Sequence, residues 1–271
     1  MIDRTPIPLL RLVVSLMAAM TIAVAGLFLV RWLVPASWLH ANNEVAGNYL
    51  QTIGTIYAVL LAFVVFVVWQ QHNDVRGAVY REANELSDLH RLIQVFSEPV
   101  RTRVSRCLCA YRQAVLEDEW TSLAAGRPSE RAGKALEEIW PALEGFEPQT
   151  RREEVLYGEV LARFNDLSDA RTHRLYCSCL RLPPSLWALL VINGGLVISS
   201  MWLFGLDSFC AQALMTVALA GSIALILYLI ADLDNPFWGA WQVTPEAFRG
   251  ALDRAAPRAS LQSPKPSSNP P

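Results

Sequence analysis

Two Cys-x-Cys pairs, Cys107 with Cys109 and Cys177 with Cys179, are the residues best suited by type to metal or redox chemistry. Zinc sites usually draw their thiolates from turns, with about two to four residues between ligands. Residues i and i+2 of a helix point about 200° apart, so a helical Cys-x-Cys pair cannot offer both sulfurs to one ion. The four cysteines therefore read as packing thiols, and no metal or cofactor is expected. A second candidate is Asp232-Leu233-Asp234-Asn235-Pro236-Phe237. Its two carboxylates can supply oxygens to a cation, but Asp and Asn ahead of a proline also end a helix and open a turn. The residues favour termination. Arg171, Arg174 and Arg181 form a third group, suited either to concentrating anions at a pore mouth or to holding anionic headgroups. Asp169 and His173, four residues apart, suit a surface pair. The sequence has no P-loop, no G-x-G-x-x-G and no Glu-x-x-His pair, and Glu117-Asp118-Glu119 reads as a solvated run. An enzyme is not expected.

Hydropathy sets the elements that carry these residues. Hydrophobic residues make up 53% of the chain and charged residues 18%, against about 45–50% and about 25% in soluble domains. A net charge of −2 excludes the strongly basic surface of a nucleic-acid binder. The apolar excess lies in four uncharged runs, Leu12 to Val30, Tyr49 to Trp69, Ser185 to Phe204 and Ala211 to Ala231. Each has about the 20 residues that a helix needs to cross a bilayer. The first run follows Arg4 and Arg11 and contains Ala23-Val24-Ala25, as a signal peptide would, but it continues apolar through Val30 and reads as a retained span.

Residues 32–48 and 205–210 contain no Lys or Arg, whereas 16 of the 23 basic residues lie in 70–184. The positive-inside rule then puts both termini and the region 70–184 in the cytoplasm of a cell with an inner membrane, with two short loops outside. Arg31 is expected to snorkel at the outer interface, and tryptophans such as Trp32, Trp38, Trp202 and Trp238 fit interfacial belts. Disulfides are rare in the cytoplasm, so the central cysteines should be thiols.

The expected fold is all-α: an integral membrane protein of four transmembrane helices with a cytoplasmic helical bundle between spans two and three. Residues 1–69 form an N-terminal hairpin with spans at about 12–33 and 49–69. Residues 70–184 form the bundle, and 185–233 a second hairpin with spans at about 185–204 and 211–231. A tail, 234–271, is expected to be disordered after about residue 256. Span two runs on as one helix to about Phe96, along Tyr80, Ala83, Leu86, Leu89, Ile93 and Phe96. A second helix carries Val100 to Trp120, a third Leu136 to Leu143, and a fourth opens at the capping box Thr150-x-x-Glu153 with Val155, Val160 and Leu167 on its apolar side.

In order along the chain stand Ala62-Phe63-Val64-Val65-Phe66-Val67-Val68-Trp69-Gln70, Arg81-Glu82-Ala83, and Tyr111 through Glu119-Trp120. Ala170-Arg171-x-x-Arg174-Leu175, Pro184, Trp187 and Leu233-Asp234-x-Pro236-Phe237-x-Gly239 follow. This order resembles the bestrophin-like family of prokaryotic membrane proteins, defined by a domain of unknown function, over about residues 10–245. The resemblance implies a distant relation to bestrophins, which are pentameric anion channels with four spans, a pore lined by the second span and a neck of apolar side chains. True bestrophins carry a longer cytosolic part with an acidic calcium clasp. Here only Asp232, Asp234 and Asn235-Pro236-Phe237 stand at a comparable place.

On that resemblance, span two is the candidate pore helix. Asn48, Gln51 or Thr52, and Thr55 share a helical face that continues inward as Ala62, Phe66 and Trp69, with Phe63 taking part if the face is rotated. Polar residues above an aromatic constriction suit a pore that gates by dewetting; small and hydroxyl residues also suit helix–helix packing. The expected function is an oligomeric channel for anions or small ions, pentameric by resemblance. The alternative is a non-conducting, membrane-anchored module that recruits a partner through its cytoplasmic helices.

Overall fold

In lipid every backbone polar group must be satisfied within the spanning segment, so uncharged runs of this length fold as helices. The structure, a computed structural model, describes residues 7–252, and the tail expected to be disordered lies outside them. In chain order the helices are α1 (Ile7–Leu33), α2 (Ala36–Ala41), α3 (Asn43–Ile93), α4 (Val100–Ala114), α5 (Trp120–Ala124) and α6 (Glu130–Glu137). They continue as α7 (Ile139–Glu144), α8 (Arg151–Cys179), α9 (Pro184–Trp202), α10 (Phe209–Asp234) and α11 (Glu246–Arg249), with a π-helical turn, Val115–Glu119, joining α4 to α5. Four helical stretches are long and apolar enough to cross a membrane, and a helical region stands between the second and third. The chain is a multi-pass membrane protein of all-helical fold. Span two is a single helix of 51 residues.

The chain divides into two units: residues up to Asn73 with Leu180–Gln242, and Asp74–Cys179 with the segment from Val243. In the first unit α3 buries Tyr57, Leu61, Val64 and Val68 against Leu182, Leu190, Val197, Ile223, Ile230 and Leu233. Lipid tails are as apolar as these side chains, so tight contact, rather than escape from water, is what holds the helices together. Gly194 permits that contact. The Tyr57 hydroxyl donates to the Leu190 carbonyl at 3.1 Å, and a Cβ on Gly194 would stand 2.8 Å from the same hydroxyl. The loops are tied by side chains. Asn43 donates to the Gly205 carbonyl at 3.1 Å and accepts from its N–H at 2.7 Å. Gln212 donates to the carbonyls of Met201 and Phe204. Arg31 donates to the Leu206 carbonyl, with its guanidinium carbon 5.6 Å from the Phe209 ring centre.

In the second unit α3 buries Val75, Val79, Ala83, Leu86, Leu89 and Ile93. Tyr80, expected on this stripe, lies on the other side of the helix and is 48% exposed, and Val155 of α8 also faces outward. The core phase runs through 79 and 82 instead. The expected third helix is broken at Glu138 into α6 and α7, because Pro141 has no N–H for the carbonyl four residues back. Ser129 caps α6 by accepting from the Ala132 N–H at 3.1 Å. The Thr150 capping box closes as expected, with Glu153 N–H donating to Thr150 Oγ1 at 3.2 Å and Thr150 N–H to Glu153 Oε2 at 3.1 Å. After span four the chain returns to this unit, where Phe248 is buried and Ser87 donates to the Ala251 carbonyl.

His90 is half-buried on α3, and burial, aided by Arg112, lowers its pKa. The unfolded chain therefore holds the proton more tightly than the folded one. The stability His90 contributes is complete above its unfolded pKa, about 6.5, and is lost as pH falls through the lower folded value. His90→Gln should flatten the pH dependence of the melting temperature below about pH 6.5; an unchanged slope would rule this out.

Candidate functional site: the outward face of span two and its basic neighbours

Every nominated residue of span two (Gln51, Thr52, Thr55, Ala62, Phe63, Phe66 and Trp69) lies on the exposed side of α3. They share one face because successive residues turn by about 100°, opposite the buried line Tyr57, Leu61, Val64 and Val68. Thr52 and Thr55 return their hydroxyls to the carbonyls of Asn48 and Gln51 at 2.9 and 2.7 Å. Gln51 has no such partner for its carboxamide among the described residues. Trp69 meets Trp241 edge-on, with ring centres 6.0 Å apart. Val68, which the sequence reading turns to lipid, is instead fully buried.

The three arginines have different surroundings. Arg174 was a candidate for a charged mouth, but it is fully buried. Its Nε donates to Glu82 Oε2 at 2.5 Å, and its Nη2 to Glu82 Oε1 at 3.1 Å and Glu119 Oε2 at 2.6 Å. The guanidinium carbon lies 5.8 and 5.9 Å from the ring centres of Trp120 and Phe248. Burial opposes its charge, but the two carboxylates outweigh that cost and hold it protonated far above the ordinary range. A guanidinium enclosed in this way cannot act on passing ions or headgroups. Arg171 is also turned inward, donating to Glu119 Oε1 at 2.7 Å. Arg181 reaches Asn235 Oδ1 at 3.2 Å and the Leu180 carbonyl at 2.8 Å.

Glu82 and Glu119, the anions of this cluster, stand in the sequence pattern of the family resemblance but were not nominated as site residues. Glu82 occupies a core position of the α3 stripe, and an acid at such a position was the available signal. Glu119 belongs to a run read as solvated. The π turn admits an extra residue, and Glu119 turns inward while Glu117 stays exposed. Tyr111 donates to Glu82, and burial together with that carboxylate raises the phenol pKa well above its usual value.

The residues after span four hold the chain's own backbone. Asp232 accepts from the N–H groups of Ala240 and Trp241, each at 3.1 Å. Asp234 accepts from Leu182 N–H at 2.8 Å, and Asn235 from Phe237 N–H at 3.3 Å. Pro236 and Phe237 are buried, and Gly239 takes φ +99°. The arrangement is a terminator that ties the end of α10 to the start of α9. Cys177 is buried and Cys179 exposed, so the two thiols of one helix diverge. His173 lies beside Cys177, 3.8 Å from its sulfur, rather than pairing with Asp169.

No curated protein matches the chain. Solved structures of a bacterial bestrophin homolog from Klebsiella pneumoniae do. A variant with aspartate replaced by alanine is 14% identical, with 90% of this chain and 97% of that one covered and a TM-score of 0.65. A variant with isoleucine replaced by threonine is 13% identical, with 90% and 98% covered and a TM-score of 0.63. The form solved by zinc phasing is 14% identical, with the same coverage as the second and a TM-score of 0.61. These likenesses establish a common fold. The Bestrophin-like domain model matches residues 17–248, and the chain therefore belongs to the bestrophin-like family.

Proposed function

We propose that the protein is an oligomeric channel in which span two lines the conduction path, with both termini on the cytoplasmic side. The observation that carries this reading is the outward placement of Gln51, Thr52 and Thr55 on a membrane helix whose opposite face packs through Tyr57, Leu61, Val64 and Val68. A side-chain carboxamide facing hydrocarbon with no partner is costly, and polar residues within spans turn to a bundle interior or a water-filled cavity. Copies of α3 arranged around an axis give Gln51 and Thr55 water, and Phe63 and Phe66 then form an apolar constriction that gates by dewetting. A pentamer, as in the bestrophins that the chain resembles, supplies such an axis.

Single-channel recording in planar bilayers tests this. Phe66→Ala should raise unitary conductance roughly two-fold or more by widening the constriction. Leu214→Ala, at a position 71% exposed on α10, should leave it unchanged. Equal effects at both positions would refute the pore face, and an inserted oligomer with no current would leave the partner-recruiting module as the better reading.

A further inference from the structure

The outward face of α3 continues past Trp69. With about 100° of turn per residue, the line through Thr55, Ala62, Phe66 and Trp69 extends to Asn73, Tyr80 and Asn84 of the same helix. Arg76 and Arg81 flank that line on its two sides, and both are exposed. Neither has an ion-pair partner within 4.0 Å among the described residues. The other charges of this stretch are compensated or engaged. Arg91 is 3.2 Å from Asp88, Glu85 meets Arg163 at 3.4 Å, and Asp74 makes a contact of its own. Of the three cations that the sequence places at the mouth, Arg171 and Arg174 are neutralised by Glu82 and Glu119, and Arg181 is held by Asn235 and the Leu180 carbonyl.

Resting on the conduction path proposed above, we infer that Arg76 and Arg81 set its charge preference, concentrating small anions where span two leaves the membrane. An uncompensated cation beside a low-dielectric wall raises the local anion concentration and lowers that of cations. Each further copy of α3 around the axis adds the same two charges. The side chains need bind nothing tightly; they act through the potential they create.

The experiment is the chloride-to-potassium permeability ratio of the full-length protein in liposomes under a KCl gradient. Wild type is compared with Arg76→Gln/Arg81→Gln and with Arg76→Lys/Arg81→Lys. The Gln pair should lower the ratio roughly 3- to 10-fold, and the Lys pair should keep it. The difference between wild type and the Gln pair should shrink in about 1 M salt, where screening acts within about 3 Å. The single Gln variants provide the same measurement if the double variant does not insert. A conducting wild type whose ratio is unchanged in the Gln pair overturns the assignment of these arginines and leaves the path standing. A ratio that falls equally in the Lys pair also overturns it, because the charge would not be the cause. An inserted wild type that passes no current overturns both.

Discussion

Replacing Arg174 with alanine is expected to lower the stability of the Asp74–Cys179 unit by about 3–5 kcal/mol, the cost of leaving buried charge unpaired. Two carboxylates, Glu82 and Glu119, meet this one guanidinium, and all three side chains are fully buried. Without the cation they would face one another in a site closed to water. A domain has only about 5–15 kcal/mol in total, so the loss should show as a large fall in melting temperature of the detergent-solubilised protein and as early proteolysis within residues 74–179. Arg174→Lys should be nearly as damaging, because an ammonium cannot reproduce the forked contact with Glu82. The cause can be separated from the loss of packing. Arg174→Met with Glu82→Gln removes the carboxylate left without a cation, since Glu119 keeps Arg171, and should recover much of the stability, whereas a double variant no better than Arg174→Met alone would show that charge was not the issue. Arg171→Gln should cost less, because Arg171 meets a single carboxylate, Glu119, and keeps some exposure.

The spans were legible because hydrocarbon imposes a length and forbids charge, and both can be counted along a chain. The continuation of span two beyond Trp69 was legible for a related reason, since the apolar repeat persists after the charges return. Which side of a span packs against its own chain was not legible. From Val64 to Val68 both faces are apolar, and in lipid an inward face and an outward face can have the same composition, so nothing in the run distinguishes Val68 from Phe66. Arg174 was misplaced for a different reason. Periodicity is read from apolar residues, so an arginine at a core position of α8 looks like a surface charge until its two carboxylates, 92 and 55 residues away, are brought beside it. Glu119 was hidden by the π turn, whose extra residue changes the helical phase within a run of three acids. The reading of the post-span acids as terminators rested on local turn chemistry, and each carboxylate indeed accepts from backbone N–H groups.

Gly239→Ala should cost roughly 2–5 kcal/mol, combining backbone strain with a displaced buried acceptor. The φ of +99° at Gly239 lies in the region that L-residues avoid. A Cβ there would stand 2.0 Å from Asp232 Oδ1 and 2.8 Å from its Cγ. That carboxylate cannot swing aside without penalty, because it is buried and holds the N–H groups of Ala240 and Trp241. The variant therefore loses the glycine conformation and the aspartate contacts together, and the end of span four should loosen from its turn. Thermal unfolding of the purified protein, with the double variant Asp232→Ala/Gly239→Ala, tests this mechanism. Part of the damage in each single variant is the same loss of the Asp232 contacts, so the double variant should cost clearly less than the sum of the two. Strict additivity would mean that Gly239 is needed for its φ alone, and that the carboxylate and the glycine act independently.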